Sequence, residues 1–225
     1  FLLALADADS KGDVKIFLPN GRYDLGVITL TSVSGKNISI IGESMEGTII
    51  KNAPLVENEG IGTTATLVNT SSHLYLQDLT LQNALDYYKS GAAGRAVCLH
   101  EKGSNTICKN LRLLSHQDTY YSNKASKFYF EDSEIHGTVD YMCGDGDVIY
   151  NRCKLVNVSR AANKEDGQCT VCAPNHSAEC KWGYVYLDCT IDTKSKTFDF
   201  GRSWGGESKA VFIRTTLLQP EKLIS

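Results

Sequence analysis

The sequence predicts an all-β parallel β-helix, a solenoid in which short strands stack from one coil to the next. A unit of three or four β-favouring residues, a polar corner and a second short apolar stretch recurs along the chain. Internal repeats of about 20–50 residues are typical of solenoids. No helical period is sustained after the first dozen residues. None of the Asn-Gly or Asp-Gly pairs stands in hairpin context between alternating strands, as the competing β-sandwich would favour.

The elements before the repeats are short. Phe1–Gly12 is expected to be a short helix or its remnant. Val14–Leu18 is predicted to be a strand, and Pro19–Gly21 is a turn by composition. Asn37–Gly42 and Thr48–Ile50 supply two further strands.

Six repeats follow at uneven intervals, of which the shortest are 20 and 22 residues. The shortest interval is the length of a bare coil, so longer intervals predict inserted loops. The clearest insertions are Ala84–Gly94 and Ser159–Trp182, and loops on a rigid scaffold tend to carry binding determinants. The repeats are His73–Leu79, Asn105–Leu111, Lys127–Ser133, Asp147–Cys153, Gly183–Cys189 and Ala210–Thr216.

The second and fourth residues of each repeat are largely apolar, which predicts one buried strand face along the whole solenoid. The first of these inward columns is Leu74, Thr106, Phe128, Val148, Tyr184 and Val211. The second is Leu76, Cys108, Phe130, Tyr150, Tyr186 and Ile213.

Composition bounds the class of protein. The chain has 225 residues, 42% of them hydrophobic and 22% charged, which suits an ordinary globular domain with a real core. We expect a single β-helix domain over residues 1–225, and truncation at its C-terminal end stays open. A net charge of −3 argues against a nucleic-acid partner. No apolar run approaches the roughly 20 residues that cross a bilayer, so no membrane partner is expected.

The eight cysteines do not form a clear metal motif. Cys98, Cys108, Cys153 and Cys189 are expected to be buried, because free cysteine packs as a small hydrophobe. One CxxC without a second gives little support to zinc. A disulfide and a metal clip both stay open for a second group, which comprises Cys169, Cys172 and Cys180.

Four polar side chains are predicted to converge on one patch of the solenoid. Asp118 and Asp140 are 22 residues apart, and the same interval separates Arg95 from Gln117. Residues one coil apart lie about 4.8 Å from each other, the spacing of hydrogen-bonded strands. Two carboxylates, an amide and a guanidinium would therefore share one surface, as in an active site.

The chemistry of this patch suits acyl transfer or glycosidic chemistry on a carbohydrate without a metal. Two close carboxylates cannot both ionise easily, so one pKa should rise and the other fall. Arg202 is the candidate to hold one of them as the anion. An ionised carboxylate can be a nucleophile while its protonated neighbour is a general acid. Gln117 could bind an oxyanion, and Trp204 offers a flat face to a sugar ring.

Several segments carry a resemblance to a known family. A lone QDT would be weak, but QDT followed by GTVD at this interval and then GRxW is specific, and the match covers roughly residues 12–220. The chain resembles the pectin methylesterase (pectinesterase) family, which implies a right-handed parallel β-helix. The matching segments are Gly21–Tyr23, Gly42–Ile50, Gly94–Leu99, His116–Tyr120, Gly137–Gly144 and Gly201–Trp204.

The resemblance implies a role for each residue of the patch. Asp140 would attack the ester carbonyl of a methylated galacturonate, and Asp118 would protonate the departing methanol and then activate water. Gln117 would stabilise the oxyanion, Arg202 would orient Asp140, and Trp204 would line the sugar subsite. The implied partner is pectin or methylated polygalacturonan, with no cofactor. We expect a monomer, secreted or periplasmic because pectin is found there.

The chain departs from the family pattern at two positions of the site. Arg95 stands where the family usually has glutamine; it can donate to an oxyanion, but its charge would perturb both aspartates. Tyr141, a predicted substrate-binding residue, is chemically similar to the phenylalanine that the family usually has at its position. Cys143 leaves less aromatic surface for a sugar. A pectate lyase or polygalacturonase on the same fold, and a catalytically impaired β-helix that binds polyuronate, stay open as alternatives.

Overall fold

The computed structural model is a right-handed parallel β-helix, which confirms the predicted fold class. Its described helices are 3-10 turns at Val56–Asn58, Tyr87–Lys89 and Pro220–Lys222. None of them is long and apolar enough to cross a membrane. The helix expected at Phe1–Gly12 lies outside the described residues. The residues that the structure describes are 13–26, 32–34, 37–90, 94–160 and 167–224.

Two of the three strand faces are continuous with each other, because two long strands, β7 (His73–Asn83) and β9 (Thr106–Leu114), run from the first face to the second. The first face consists of β1 (Asp13–Leu18), β4 (Asn37–Gly42), the start of β7 (His73–Asn83), the start of β9 (Thr106–Leu114), β11 (Lys127–Glu131), β14 (Asp147–Asn151), β17 (Tyr184–Leu187) and β20 (Ala210–Ile213). The second face consists of β2 (Gly21–Asp24), β5 (Thr48–Asn52), the ends of β7 and β9, β12 (Glu134–Gly137), β15 (Lys154–Asn157), β18 (Thr190–Thr193) and β21 (Thr216–Leu217).

The third face is a separate sheet of parallel strands, and it carries the site described below. Its strands are β3 (Ser32–Val33), β6 (Leu67–Asn69), β8 (Leu99–Glu101), β10 (Tyr120–Ser122), β13 (Val139–Gly144), β16 (Gln168–Pro174) and β19 (Thr197–Gly201).

The polar corner of each repeat is a residue in the left-handed backbone region. This conformation turns the chain from the first face to the second, and Asn and Asp tolerate it better than other side chains do. The corner residues have φ between 47° and 53°. They are Asp78, Asn110, Asp132, Arg152, Asp188 and Arg214.

The predicted inward columns are buried in every repeat except the last. Val211 and Ile213, predicted to face inward, are 44% and 37% exposed. The prediction was wrong by one residue of register, because Tyr186 pairs with Phe212 and their rings stack at 4.2 Å. A shift of one residue turns a whole strand to its other face. The four consecutive apolar residues of this strand fit either register, and the left-handed corner at Arg214 accompanies the observed one.

The expected insertion at Ser159–Trp182 was wrong in part, because its residues Gln168–Pro174 form strand β16 of the third face. Cys169 and Cys172 of this strand point into the core instead of lying in a loop. All eight cysteines are buried free thiols, which confirms the expected burial of the first group.

Candidate active site

A cavity of about 160 Å³ opens on the third face of the solenoid. It brings together six of the seven side chains predicted to form the site. Ile61 and Cys143 complete its wall, and neither was among the predicted site residues. The lining residues are Ile61, Arg95, Gln117, Asp118, Asp140, Cys143, Arg202 and Trp204.

Site residues that are 22 positions apart in the sequence lie on adjacent coils of the solenoid. Arg95 and Gln117 form a parallel bridge on adjacent coils. One position further, the backbone N–H of Asp118 donates to the carbonyl of Val139 at 3.2 Å. Asp118 therefore lies directly against the strand that carries Asp140, and both carboxyls line the same cavity.

A β-bulge aims Asp140 into the cavity. The register between β13 and β16 shifts between Val139 and Met142, so β13 has one residue more than its partner at this point. Asp140 takes a left-handed conformation there, with φ 52°. Bulges redirect side chains and are common next to active sites. Asp118 is also left-handed, with φ 59°, a conformation that aspartate tolerates.

Tyr141 lies in the core instead of on the wall of the cavity. Its side chain is fully buried, and its hydroxyl donates to Asn157 Oδ1 at 2.9 Å. The bulge that turns Asp140 outward turns the next residue inward. The expected contact between Tyr141 and a sugar therefore does not fit this structure.

Arg202 holds Asp140 through both carboxylate oxygens. Its Nε donates to Oδ1 at 2.9 Å and to Oδ2 at 3.1 Å, and its Nη2 also donates to Oδ2. Asp140 is only 5% exposed, while the Arg202 side chain is 54% exposed. Two parallel charge-assisted bonds stabilise the charged form of a carboxylate and also fix its orientation.

Asp118 has the electrostatic character of an acid at neutral pH. Burial, followed by repulsion from Asp140, raises its pKa from 3.8 to about 8. Arg95, Cys143 and Arg202 act in the opposite direction and only partly offset these two effects. The two carboxyls of the cavity thus differ in environment, because only Asp140 is bonded to a guanidinium.

Trp204 forms an exposed rim of the cavity and is 42% exposed. Its ring lies 6.1 Å from that of Tyr121, which packs in turn on His100 at 4.5 Å. The indole is therefore supported from one side while it remains open to solvent. An apolar face in this position can pack against a sugar ring.

Comparison with known proteins identifies the family. The family model described as Pectinesterase matches residues 2–221. The chain belongs to the pectinesterase family. It is similar to Pectinesterase 2.2 of Solanum lycopersicum, with 31% identity over 231 residues that cover 96% of this chain and 39% of the relative. The chain spans less than half the length of the curated relatives it matches.

Solved structures of pectin methylesterases share the fold. One from Erwinia chrysanthemi superposes with a TM-score of 0.83 and 24% identity, covering 94% of this chain and 72% of that one. A pectin methylesterase in complex with a hexasaccharide superposes with a TM-score of 0.79 and 24% identity, covering 94% and 73%.

Arg95, which lines the cavity beside Gln117 and Asp118, is bound to Glu59. Its Nη2 lies 2.8 Å from Glu59 Oε1, and its Nε donates to Glu59 Oε2 at 3.0 Å. Sequence reasoning missed this partner, because Glu59 lies 36 positions before Arg95 in a segment that has no repeat pattern. The sequence offered only an indirect signal for this partner. An additional guanidinium beside the two aspartates predicts that another carboxylate lies near it.

Proposed function

We propose that this member of the pectinesterase family hydrolyses methyl esters of galacturonate units in pectin. The observation that carries the proposal is one cavity with two unlike carboxyls. Asp140 accepts bidentate bonds from Arg202, an arrangement typical of a carboxylate. Asp118 has a pKa raised to about 8, chiefly by burial, and so carries a proton at neutral pH.

In the first half of the proposed reaction, a carboxylate oxygen of Asp140 attacks the ester carbonyl carbon. The carbonyl π electrons move to its oxygen, and the Gln117 amide donates a hydrogen bond to this oxyanion. When the carbonyl re-forms, the bond to the methoxy oxygen breaks and Asp118 gives its proton to that oxygen. Methanol leaves, and an anhydride joins Asp140 to the uronate.

In the second half, Asp118 is a carboxylate and serves as a general base. It takes a proton from water while the water oxygen attacks the uronate carbonyl of the anhydride. The bond to Asp140 then breaks, which regenerates its carboxylate and the protonated Asp118. The products are methanol and a galacturonic acid unit, whose carboxyl group then loses its proton to solvent.

Features outside the carboxyl pair support a polysaccharide substrate. Trp204 offers a supported apolar face at the rim of the cavity. The matched pectin methylesterase that holds a hexasaccharide has the same fold. Since pectin is found outside cells, we propose a secreted or periplasmic location. We also propose that the protein acts on the polymer as a monomer.

Methanol release from methylated polygalacturonan, with a chelator present, tests the proposal. We expect Asp140→Asn and Asp118→Asn each to lower turnover by about a thousandfold or more, because each removes an obligatory group. Asparagine tolerates the left-handed backbone and keeps the side-chain volume, so both variants should fold. Wild-type turnover by Asp140→Asn would overturn the assignment.

A matched control exists on the corner of the solenoid. Asp132 has φ 50° and accepts two bonds from Arg152, at 2.8 and 3.1 Å, but lies outside the cavity. Asp132→Asn should release methanol like the wild type. Unsaturated or shortened oligosaccharides would instead indicate a lyase or a glycoside hydrolase, and polymer binding without methanol would indicate an impaired binder.

A further inference from the structure

Arg95 enters the wall of the cavity already bound to a carboxylate. Two of its guanidinium nitrogens contact Glu59, at 2.8 and 3.0 Å, and its backbone N–H donates to Glu59 Oε2 at 2.9 Å. Glu59 is the more buried partner, with a side chain 11% exposed against 40% for Arg95. Two guanidinium bonds to a carboxylate that the backbone also holds leave the guanidinium little freedom to turn toward the aspartates.

The backbone around the pair is joined as well. The N–H of Gly60 and the hydroxyl of Thr64 both donate to the carbonyl of Arg95, at 3.4 and 3.1 Å. The single hydroxyl hydrogen of Thr64 is shared with a second acceptor, the carbonyl of Gly60, at 2.7 Å. Between these anchors, Ile61 reaches the wall of the cavity. The Arg95–Glu59 pair is therefore held in place by the backbone of the cavity wall, unlike an ion pair between mobile surface side chains.

Charge in this small cavity acts directly on Asp118. The ionisable or charged groups that influence it are Asp140, Arg95, Arg202 and Cys143, and Tyr121 lies close enough to respond to its charge. A lone guanidinium in the wall would favour the anionic form of Asp118 and remove its proton. A guanidinium with a carboxylate about 3 Å away has no net charge, and the field of such a pair falls off faster with distance.

We propose that Glu59 is a positioning residue that offsets much of the charge of Arg95, so that the pair can donate hydrogen bonds in the site without the full charge of a lone guanidinium. This inference rests on the proposed role of Asp118 as acid and base. Two residues from neighbouring coils would thus supply the hydrogen-bond donor that one uncharged amide side chain could supply. The pKa of Glu59 is lowered, first by its hydrogen bond to Arg95, so Glu59 stays charged at neutral pH.

The test is the titration of the Asp118 carboxyl, followed by carbon-13 NMR on aspartate-labelled protein. The resonance is assigned by its loss in Asp118→Asn. Glu59→Gln keeps the shape of the side chain and leaves Arg95 uncompensated, so we expect the midpoint to fall by about one pH unit. Arg95→Gln leaves Glu59 unpaired and should move the midpoint upward. The double variant, with both changes, should return it close to the wild-type value.

A merely structural role gives a different result. In that case, Glu59→Gln lowers thermal stability and turnover at every pH by the same factor, without moving the midpoint or the alkaline limb of the methanol-release profile. That outcome, or a double variant that keeps the shift of Glu59→Gln, overturns the inference. Asp132→Asn, which breaks an ion pair outside the cavity, should leave the midpoint unchanged. The titration needs no turnover, so a wild type without methanol release would overturn the proposed function alone.

Discussion

The guanidinium of Arg202 bonds to the carboxylate of Asp140 although 62 residues separate them. Strand β16 lies between their strands, so the contact spans two coils of the solenoid. Arg202 begins the segment after β19, and its backbone N–H donates to the carbonyl of Cys172 at 3.0 Å. Stacked coils thus fix the position from which the arginine side chain reaches across to the acid.

Replacing Arg202 with lysine should lower kcat/KM for methylated polygalacturonan by about tenfold to a hundredfold. Lysine keeps the positive charge but cannot make two parallel bonds to one carboxylate. Steady-state methanol release measures the effect. Arg214→Lys is the matched control, because Arg214 also holds an aspartate through Nε and Nη2, at 2.6 and 2.8 Å, but on an exposed corner. Equal losses in both variants would contradict a special role for Arg202.

Turnover should fall as the pH rises through about 8. Burial first, and then the charge of Asp140, raises the pKa of Asp118 to about 8, and the proposed acid step requires its protonated form. Above that pH, kcat/KM should drop about tenfold per pH unit, because kcat/KM follows the ionisation of the free enzyme and one essential proton is lost. A pH profile of kcat/KM measures this alkaline limb. A profile that stays flat to pH 10 would exclude Asp118 as the acid.

Glu101→Gln should stabilise the protein at alkaline pH. Glu101 is fully buried, accepts a bond from Asn69 at 2.7 Å, and has no described partner for its Oε1. Burial raises its pKa from 4.5 to about 7, so its ionisation opposes folding. The wild type should therefore lose stability as the pH rises from 4.5 through 7.

The expected gain from Glu101→Gln is about 3 kcal/mol at pH 8 and near zero at pH 4, since each pKa unit corresponds to about 1.4 kcal/mol. Urea unfolding at both pH values measures the free energy of unfolding. Glu207→Gln, at an exposed carboxylate, should give no such gain. A gain of equal size at both pH values would show that the change acts on packing and leaves the pH dependence intact.

Gly137→Ala should damage both folding and the site. A Cβ there would lie 2.1 Å from the Cβ of Tyr141 and 2.6 Å from the carbonyl oxygen of His116. Relief of these overlaps must displace the strand that carries Asp140, at a cost of about 1–3 kcal/mol. Thermal unfolding and methanol release measure the two effects. Gly62→Ala is the control, since its Cβ would meet nothing within 4 Å; an equal loss there would refute the steric reason.

Much of the fold could be predicted from local pattern. Alternation of inward and outward side chains marked the first face, and the polar corner marked the turn to the second. These signals are legible because they depend on nearest neighbours and on backbone preferences. They failed at Val211 and Ile213, where four apolar residues in a row fit two registers. They also failed at β16, a short buried strand that is flanked by loop-forming residues.

The candidate site was predictable to a similar extent. An interval of 22 residues between chemically useful side chains is visible in the sequence, and it placed Gln117, Asp118 and Asp140 correctly on one wall. The inward turn of Tyr141 was not visible, because it depends on a bulge that only the pairing of β13 with β16 reveals. Glu59 was not visible either, since the loop that carries it has no repeat pattern.

The sequence by itself determined the coiled architecture, the family and the stacking of Asp118 against Asp140. Periodic placement of apolar residues, left-handed corners and candidate catalytic side chains is encoded along the chain and needs no knowledge of distant contacts. Only the tertiary structure decided which carboxyl is bonded to Arg202, how far burial raises the pKa of Asp118, and that Glu59 pairs with Arg95. Burial and charge compensation arise from contacts between coils, and those distances exist only once the chain has folded.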